Sequence, residues 1–115
     1  MTRIGSQTEE NKSFVNISND QFNEMMRHPD TIILDVRTGA EFQSARIPGS
    51  RMIDIYEPDF SEKLEQLNRS KKYLVYCRAG HRSVAACSEM IRLGFSDIYN
   101  LINGISGWDG EIIQG

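Results

Sequence analysis

The sequence predicts an α/β domain, a mainly parallel sheet with helices covering both faces. Three observations lead there. Residues 31–36 (Thr-Ile-Ile-Leu-Asp-Val) are nearly continuous in apolar β-formers, the pattern of a strand buried on both faces. Residues 73–76 (Tyr-Leu-Val-Tyr) read as a second buried strand. Between such runs lie segments with helical apolar spacing, and strands alternating with helices argue for a parallel sheet. A chain of 115 residues has room for one core of this kind, not two.

The elements follow in order. Residues 1–12 bring almost nothing to bury and are expected to be a flexible lead-in to a single domain over 13–115. Residues 14–17 read as a short strand. Ser18 then caps a helix, and Gln21, three residues on, completes a capping box. Phe22, Met25 and Met26 give that helix an apolar face, and Pro29 ends it. After the strand at 31–36, a short helix is expected around 40–45. Residues 47–55 contain a further strand, opened by Pro48-Gly49. Asp59 can cap a helix through Asn68, with Phe60, Leu64 and Leu67 on one side. Beyond the strand at 73–76, residues 83–93 form a helix stopped by Gly94, which suits the C′ position where φ is positive. Residues 95–101 supply the last strand and 105–109 a short closing helix.

Composition narrows the function classes. Hydrophobic residues are 39% and charged residues 25%, an ordinary globular balance. Thirteen basic against 16 acidic residues leave a net charge of −3, so no nucleic-acid partner is expected. No apolar run approaches 18 residues, so no membrane span is expected. The polar residues 1–11 lack the basic start and apolar middle of a secretory signal, which points to the cytoplasm. Two cysteines, Cys77 and Cys87, are too few for a disulfide framework and are expected to be thiols. With only His28 and His81 beside them, no metal-ligand cluster has the right count or spacing, and no metal or other cofactor is called for.

The segment 73–83 carries the chemistry. An apolar strand delivers Cys77, then a tight loop containing Gly80, then a helix. In parallel sheets, ligands gather at the carboxyl ends of strands, where loops meet helix N-termini. If the loop curls around the sulfur, consecutive N–H groups converge on it, and Gly80 permits the close approach. The positive end of the next helix points the same way. Arg78 and Arg82 add two permanent cations. All of this favours thiolate over thiol. Lowering a cysteine pKa by about two units takes about 2.7 kcal/mol, within reach of these groups together. Cys77 is therefore a nucleophile facing an anionic substrate. His81 either polarises that substrate or faces solvent. Cys87 lies on the helix with Val84 and Ile91 at i−3 and i+4, the spacing of a core face. His28, beside Pro29, is a surface residue.

These residues resemble the rhodanese-like domain family. The stretch Cys77-Arg78-Ala79-Gly80-His81-Arg82-Ser83 is similar to that family's active-site loop. Leu34-Asp35-Val36-Arg37, followed by Glu41-Phe42, resembles its Asp-x-Arg strand end with a downstream Glu and aromatic. Arg46-Ile47-Pro48-Gly49-Ser50 resembles its His-Ile-Pro-Gly-Ala segment. Asn103-Gly104-Ile105-Ser106-Gly107-Trp108 resembles its Gly-Gly-x-x-x-Trp. The resemblance covers about residues 14–110. It implies a three-layer α/β/α sandwich around a five-stranded, mainly parallel sheet. It also implies a sulfurtransferase that moves sulfane sulfur, from a donor such as thiosulfate, through a persulfide on Cys77. Arg78 to Ser83 would then hold the donor, with Asp35 and Arg37 orienting loops behind them. A small anionic sulfur donor and a thiol or protein acceptor are the implied partners, for a monomer or a homodimer. Arg46 and Asn103 depart from the pattern, which has histidine and glycine there. Trp108 reads as packing.

Two rival readings rest on the same residues. Protein tyrosine phosphatases place five residues between Cys and Arg, whereas here Arg82 is the fifth residue after Cys77 and Ser83 the sixth. The shorter loop suits one sulfur atom better than a tetrahedral phosphate. A persulfide carrier serving one dedicated protein is the other alternative, because the short chain has no second domain to cover the loop.

Overall fold

The computed structural model describes residues 13–115, and the predicted lead-in over 1–12 lies outside them. In chain order the elements are β1 (Val15–Ile17), α1 (Asn19–Met25), β2 (Thr31–Asp35), α2 (Gly39–Ser44), β3 (Ala45–Arg46), β4 (Arg51–Met52), α3 (Phe60–Glu65), β5 (Lys72–Tyr76), α4 (His81–Arg92), β6 (Ile98–Leu101), a 3₁₀ turn (Ile105–Gly107) and β7 (Ile113–Gln114). Five of the strands form one sheet in the order β1-β6-β5-β2-β4, and every pairing in it is parallel. The sequence-based fold class is what the chain adopts.

Alternation along the strands divides the core in two, since successive side chains leave opposite faces. Leu34, Val36, Tyr73, Val75 and Cys77 turn to one face and meet Phe60 and Leu64 of α3 and Ala86, Cys87 and Met90 of α4. Ile33, Leu74, Tyr76 and Leu101 turn to the other and meet Phe22 of α1, with Trp108 closing that side. Helices therefore cover both faces. β5, buried from Tyr73 through Tyr76, is the middle strand, so its carboxyl end opens at the centre of the sheet edge.

Signals confined to a few residues match the structure. Ser18 and Gln21 form the predicted capping box on α1. A second box, Thr38 with Glu41, starts α2. Gly94 has φ 101°, as its place after α4 requires. Several expectations need correction. α3 ends at Glu65, not Asn68, and Asp59 makes no side-chain cap bond to it. The closing helix is one 3₁₀ turn. α4 begins at His81, two residues earlier than expected, because Gly80 takes the N-cap position in a left-handed conformation. Val84 is exposed, so the core face of α4 is Ser83, Ala86, Cys87 and Met90, with Cys87 fully buried. A two-stranded antiparallel ribbon, β3 with β7, was not foreseen.

Candidate active site

β5 ends one residue before Cys77, which is 1% exposed. The chain then turns back so that three groups reach its sulfur. The Gly80 N–H donates to Sγ at 3.1 Å, the Ser83 N–H at 3.3 Å, and the Ser83 hydroxyl lies at 3.3 Å. Ser83 is in the first turn of α4, so the sulfur sits at the positive end of a 12-residue helix. Burial pushes the Cys77 thiol up, yet the hydroxyl and N–H of Ser83 and the N–H groups of Gly80 and Ala79 outweigh it. The net effect is a thiol held below its ordinary range. Cys87 has no such donors, and burial pushes it far up. The two buried cysteines thus sit in opposite surroundings, Cys77 ringed by hydrogen-bonding groups and Cys87 packed in the core.

Two glycines make this geometry possible. Gly80 has φ 100°, and a Cβ there would collide with the carbonyl oxygen of Ile102. Gly104 has φ 65°, and a Cβ there would strike the carbonyls of Cys77 and Arg78. The segment after β6 is thus pressed against the cysteine loop from behind. The Ile105 N–H bonds the Cys77 carbonyl at 2.9 Å, and the Ser106 N–H bonds that of Arg78 at 2.9 Å. In the sequence the Asn103-Gly104 segment is visible only as a motif, and its role as the backing of the loop comes from the fold. The Asn103 substitution needs no left-handed backbone, since no non-glycine residue among those described has positive φ. Its Cβ instead covers Gly107.

The remaining predicted residues divide by exposure. Arg78, Ala79 and His81 are exposed at the rim. Arg82, the second permanent cation read from the sequence, is paired with a carboxylate. Its Nη1 and Nη2 donate to Glu41 Oε1 and Oε2 at 2.8 and 2.9 Å, a two-point ion pair. Arg82 holds the Glu41 carboxyl at about 2, against the upward push of desolvation and with help from the Thr38 hydrogen bonds. The ring of Tyr56, which sequence reasoning did not single out, lies 5.7 Å from the Arg82 guanidinium. Asp35 and Arg37 are both buried, and Arg37 grips Asp35 at 2.7–3.1 Å while its Nη2 donates to the Ala45 carbonyl at 2.6 Å. They brace the end of β2 against β3 and make no hydrogen bond to the sulfur. Arg46 stacks on Phe42 and donates to its carbonyl at the end of α2. Trp108 packs edge-on against Phe22 at 5.3 Å. A concavity of about 420 Å³ beside the loop is lined by Arg37, Glu41, Arg78, Ile105 and Ser106 among others.

A rhodanese-like domain model matches residues 18–111. The chain belongs to the rhodanese-like domain family. A rhodanese-related protein from Thermoplasma volcanium, known by its crystal structure, superposes with a TM-score of 0.77 at 30% identity, covering 87% of this chain and 98% of that one. A putative sulfurtransferase of Bacillus subtilis is 34% identical over 79 residues, 69% of this chain and 74% of its own length. A tRNA uridine(34) hydroxylase of Cytophaga hutchinsonii is 35% identical over 88 residues, 74% of this chain but 28% of the relative. This rhodanese-like chain thus spans under a third of some curated relatives and about three quarters of others. Names among them include sulfurtransferase and sulfur carrier protein. A sulfur-related function of the rhodanese-like kind is the common ground. Among the described residues, no helix is long and apolar enough to cross a membrane.

Proposed function

We propose that the protein is a sulfurtransferase in which Cys77 carries sulfane sulfur as a persulfide. The observation behind this reading is the cradle of Gly80 N–H, Ser83 N–H and Ser83 hydroxyl around a single sulfur atom. The Cys77 thiolate attacks the outer sulfur of a donor such as thiosulfate. A new S–S bond forms on Cys77, the donor S–S bond breaks, and sulfite leaves with the electron pair. The N–H groups that stabilised the thiolate then face the terminal sulfur of Cys77–S–S⁻. An acceptor nucleophile (cyanide in an assay, a thiol or protein cysteine in a cytoplasmic setting) takes that sulfur and returns the thiolate. One difficult transfer becomes two easier ones, and the kinetics are ping-pong. Rim residues Arg78 and His81 meet the anionic donor, while Asp35 and Arg37 keep the loop bed rigid.

A carrier that loads once and passes its sulfur to a dedicated protein is the second reading. It is favoured by the exposed rim and by a Bacillus subtilis relative named as a putative sulfur carrier protein, 30% identical over 93% of this chain. Intact mass of the reduced protein after incubation with thiosulfate tests the persulfide that both readings share, and a steady-state assay with cyanide as acceptor separates them. A gain of about 32 Da, removed by cyanide or thiol and absent in Cys77→Ala, is the expected result. Steady turnover favours the enzyme, single loading favours the carrier, and no adduct from either thiosulfate or a persulfide rejects both.

A further inference from the structure

The cysteine loop holds two arginines, but the fold leaves them in different states. Both Nη groups of Arg82 are engaged by Glu41. Glu41 is itself anchored, because its Oε1 accepts from the Thr38 N–H and hydroxyl, each at 3.1 Å, at the start of α2. The two side chains are only 21% and 28% exposed, so water screens the pair incompletely. The guanidinium fork of Arg37 is likewise taken by Asp35 and Ala45. Arg78 is exposed and joins none of the described ion pairs. The loop therefore presents one free guanidinium, not two.

We infer that Glu41 sets the donor preference of this site: by tying up Arg82 it favours a neutral or singly charged thiol persulfide over doubly charged thiosulfate. The inference rests on the sulfurtransferase reading and refines it. Of the loop's two arginines, only Arg78 is left to attract a dianion approaching Cys77, which also meets the carboxylate that cancels Arg82. A persulfide R–S–SH needs no second cation. The Cys77 thiolate attacks its terminal sulfur, the R–S–S bond breaks, and RS⁻ leaves with the electron pair. The proton stays on the transferred sulfur. Glu41 is a positioning residue here, acting through Arg82 and not on the sulfur.

Glu41→Gln tests this cleanly. Glutamine can still accept from Thr38, so the capping box of α2 survives while the charge is lost. Loading rates of Cys77 are measured by intact mass with thiosulfate and with cysteine persulfide. Thiosulfate loading should rise by about threefold or more in the variant, the size of a half-screened charge effect, with persulfide loading changed by less than about twofold. Independently of sulfur transfer, Cys77 is alkylated with anionic iodoacetate and neutral iodoacetamide. The ratio of their rate constants should rise by about threefold in Glu41→Gln, fall in Arg82→Gln, and both shifts should shrink in high salt. An unchanged ratio, or equal changes with both donors, would overturn the inference and leave Glu41 as a loop brace. Wild-type protein that takes sulfur from neither donor would remove the sulfurtransferase reading instead, while the alkylation ratio would still decide whether Glu41 controls the charge at Cys77. If Glu41→Gln fails to fold, the Arg82→Gln arm decides: no fall in the ratio overturns the inference.

Discussion

Ser83 touches the Cys77 sulfur through both its N–H and its hydroxyl, and the hydroxyl is the part a substitution can remove. Ser83→Ala keeps the helix and the N–H but takes one donor from the thiolate. Hydrogen bonds to charged groups contribute about 1.5–3 kcal/mol, so the Cys77 pKa should rise by about one unit or more. The pH profile of iodoacetamide alkylation reads that shift directly, and a midpoint unmoved or moved downward would contradict the cradle. Gly80 is the other residue with no substitute. Gly80→Ala meets positive φ and the Ile102 carbonyl at once, and should cost at least about 2 kcal/mol in denaturant unfolding, with Cys77 reactivity falling toward that of a free thiol. The cysteine, the glycine and the two arginines could all be read from the chain. That Arg82 is neutralised could not, because its partner lies 41 residues away.

At the scale of elements, the fold is fastened by a few specific ties. Tyr76 at the end of β5 accepts from the buried Ile47 N–H at 3.1 Å and donates to the Ser50 hydroxyl at 3.2 Å, joining the central strand to the turn before β4. Burial pushes its own ionisation up to about 12, so the tie persists through neutral pH. Tyr76→Phe leaves the Ile47 N–H without that partner and should cost about 1–3 kcal/mol in chemical denaturation. A cost near zero would mean the amide finds another acceptor. Ser18→Ala removes one half of the α1 capping box and should cost about 1 kcal/mol, lowering Tm by about 5 °C. The box on α1 was legible because both partners lie within three residues. Strands of two residues, such as β3 and β7, carry no period to read, and their pairing depends on where the C-terminus returns.

For the whole molecule, two carboxylates shape the acid limb of stability. Glu41 is held at about 2, chiefly by Arg82, and Glu89 at about 2, chiefly by Arg92 with Ser61 beside it. Both lie below the ordinary value of 4.5, so the stability they contribute is complete above about pH 4.5 and is lost as pH falls through about 2. Both are partly solvated, so the contribution is modest and weakens with salt. Thermal unfolding followed across this window should show Tm falling toward pH 2, with a shallower fall in Glu41→Gln combined with Glu89→Gln. Parallel curves for the two proteins would show that other groups set the acid limb.

The parallel α/β architecture, the strand that delivers Cys77 and the loop that follows it are all legible along the chain. Apolar runs, capping residues and glycine positions act over a few residues, so they are written where they operate. What neighbours in space do to that loop depends on how the elements pack. Strand order brought Glu41 onto Arg82 and pressed Gly104 against the Cys77 carbonyl, and the exact rotation of α4 put Val84 outside and Cys87 inside. These contacts join segments tens of residues apart, and nothing in the local pattern of either partner specifies the other.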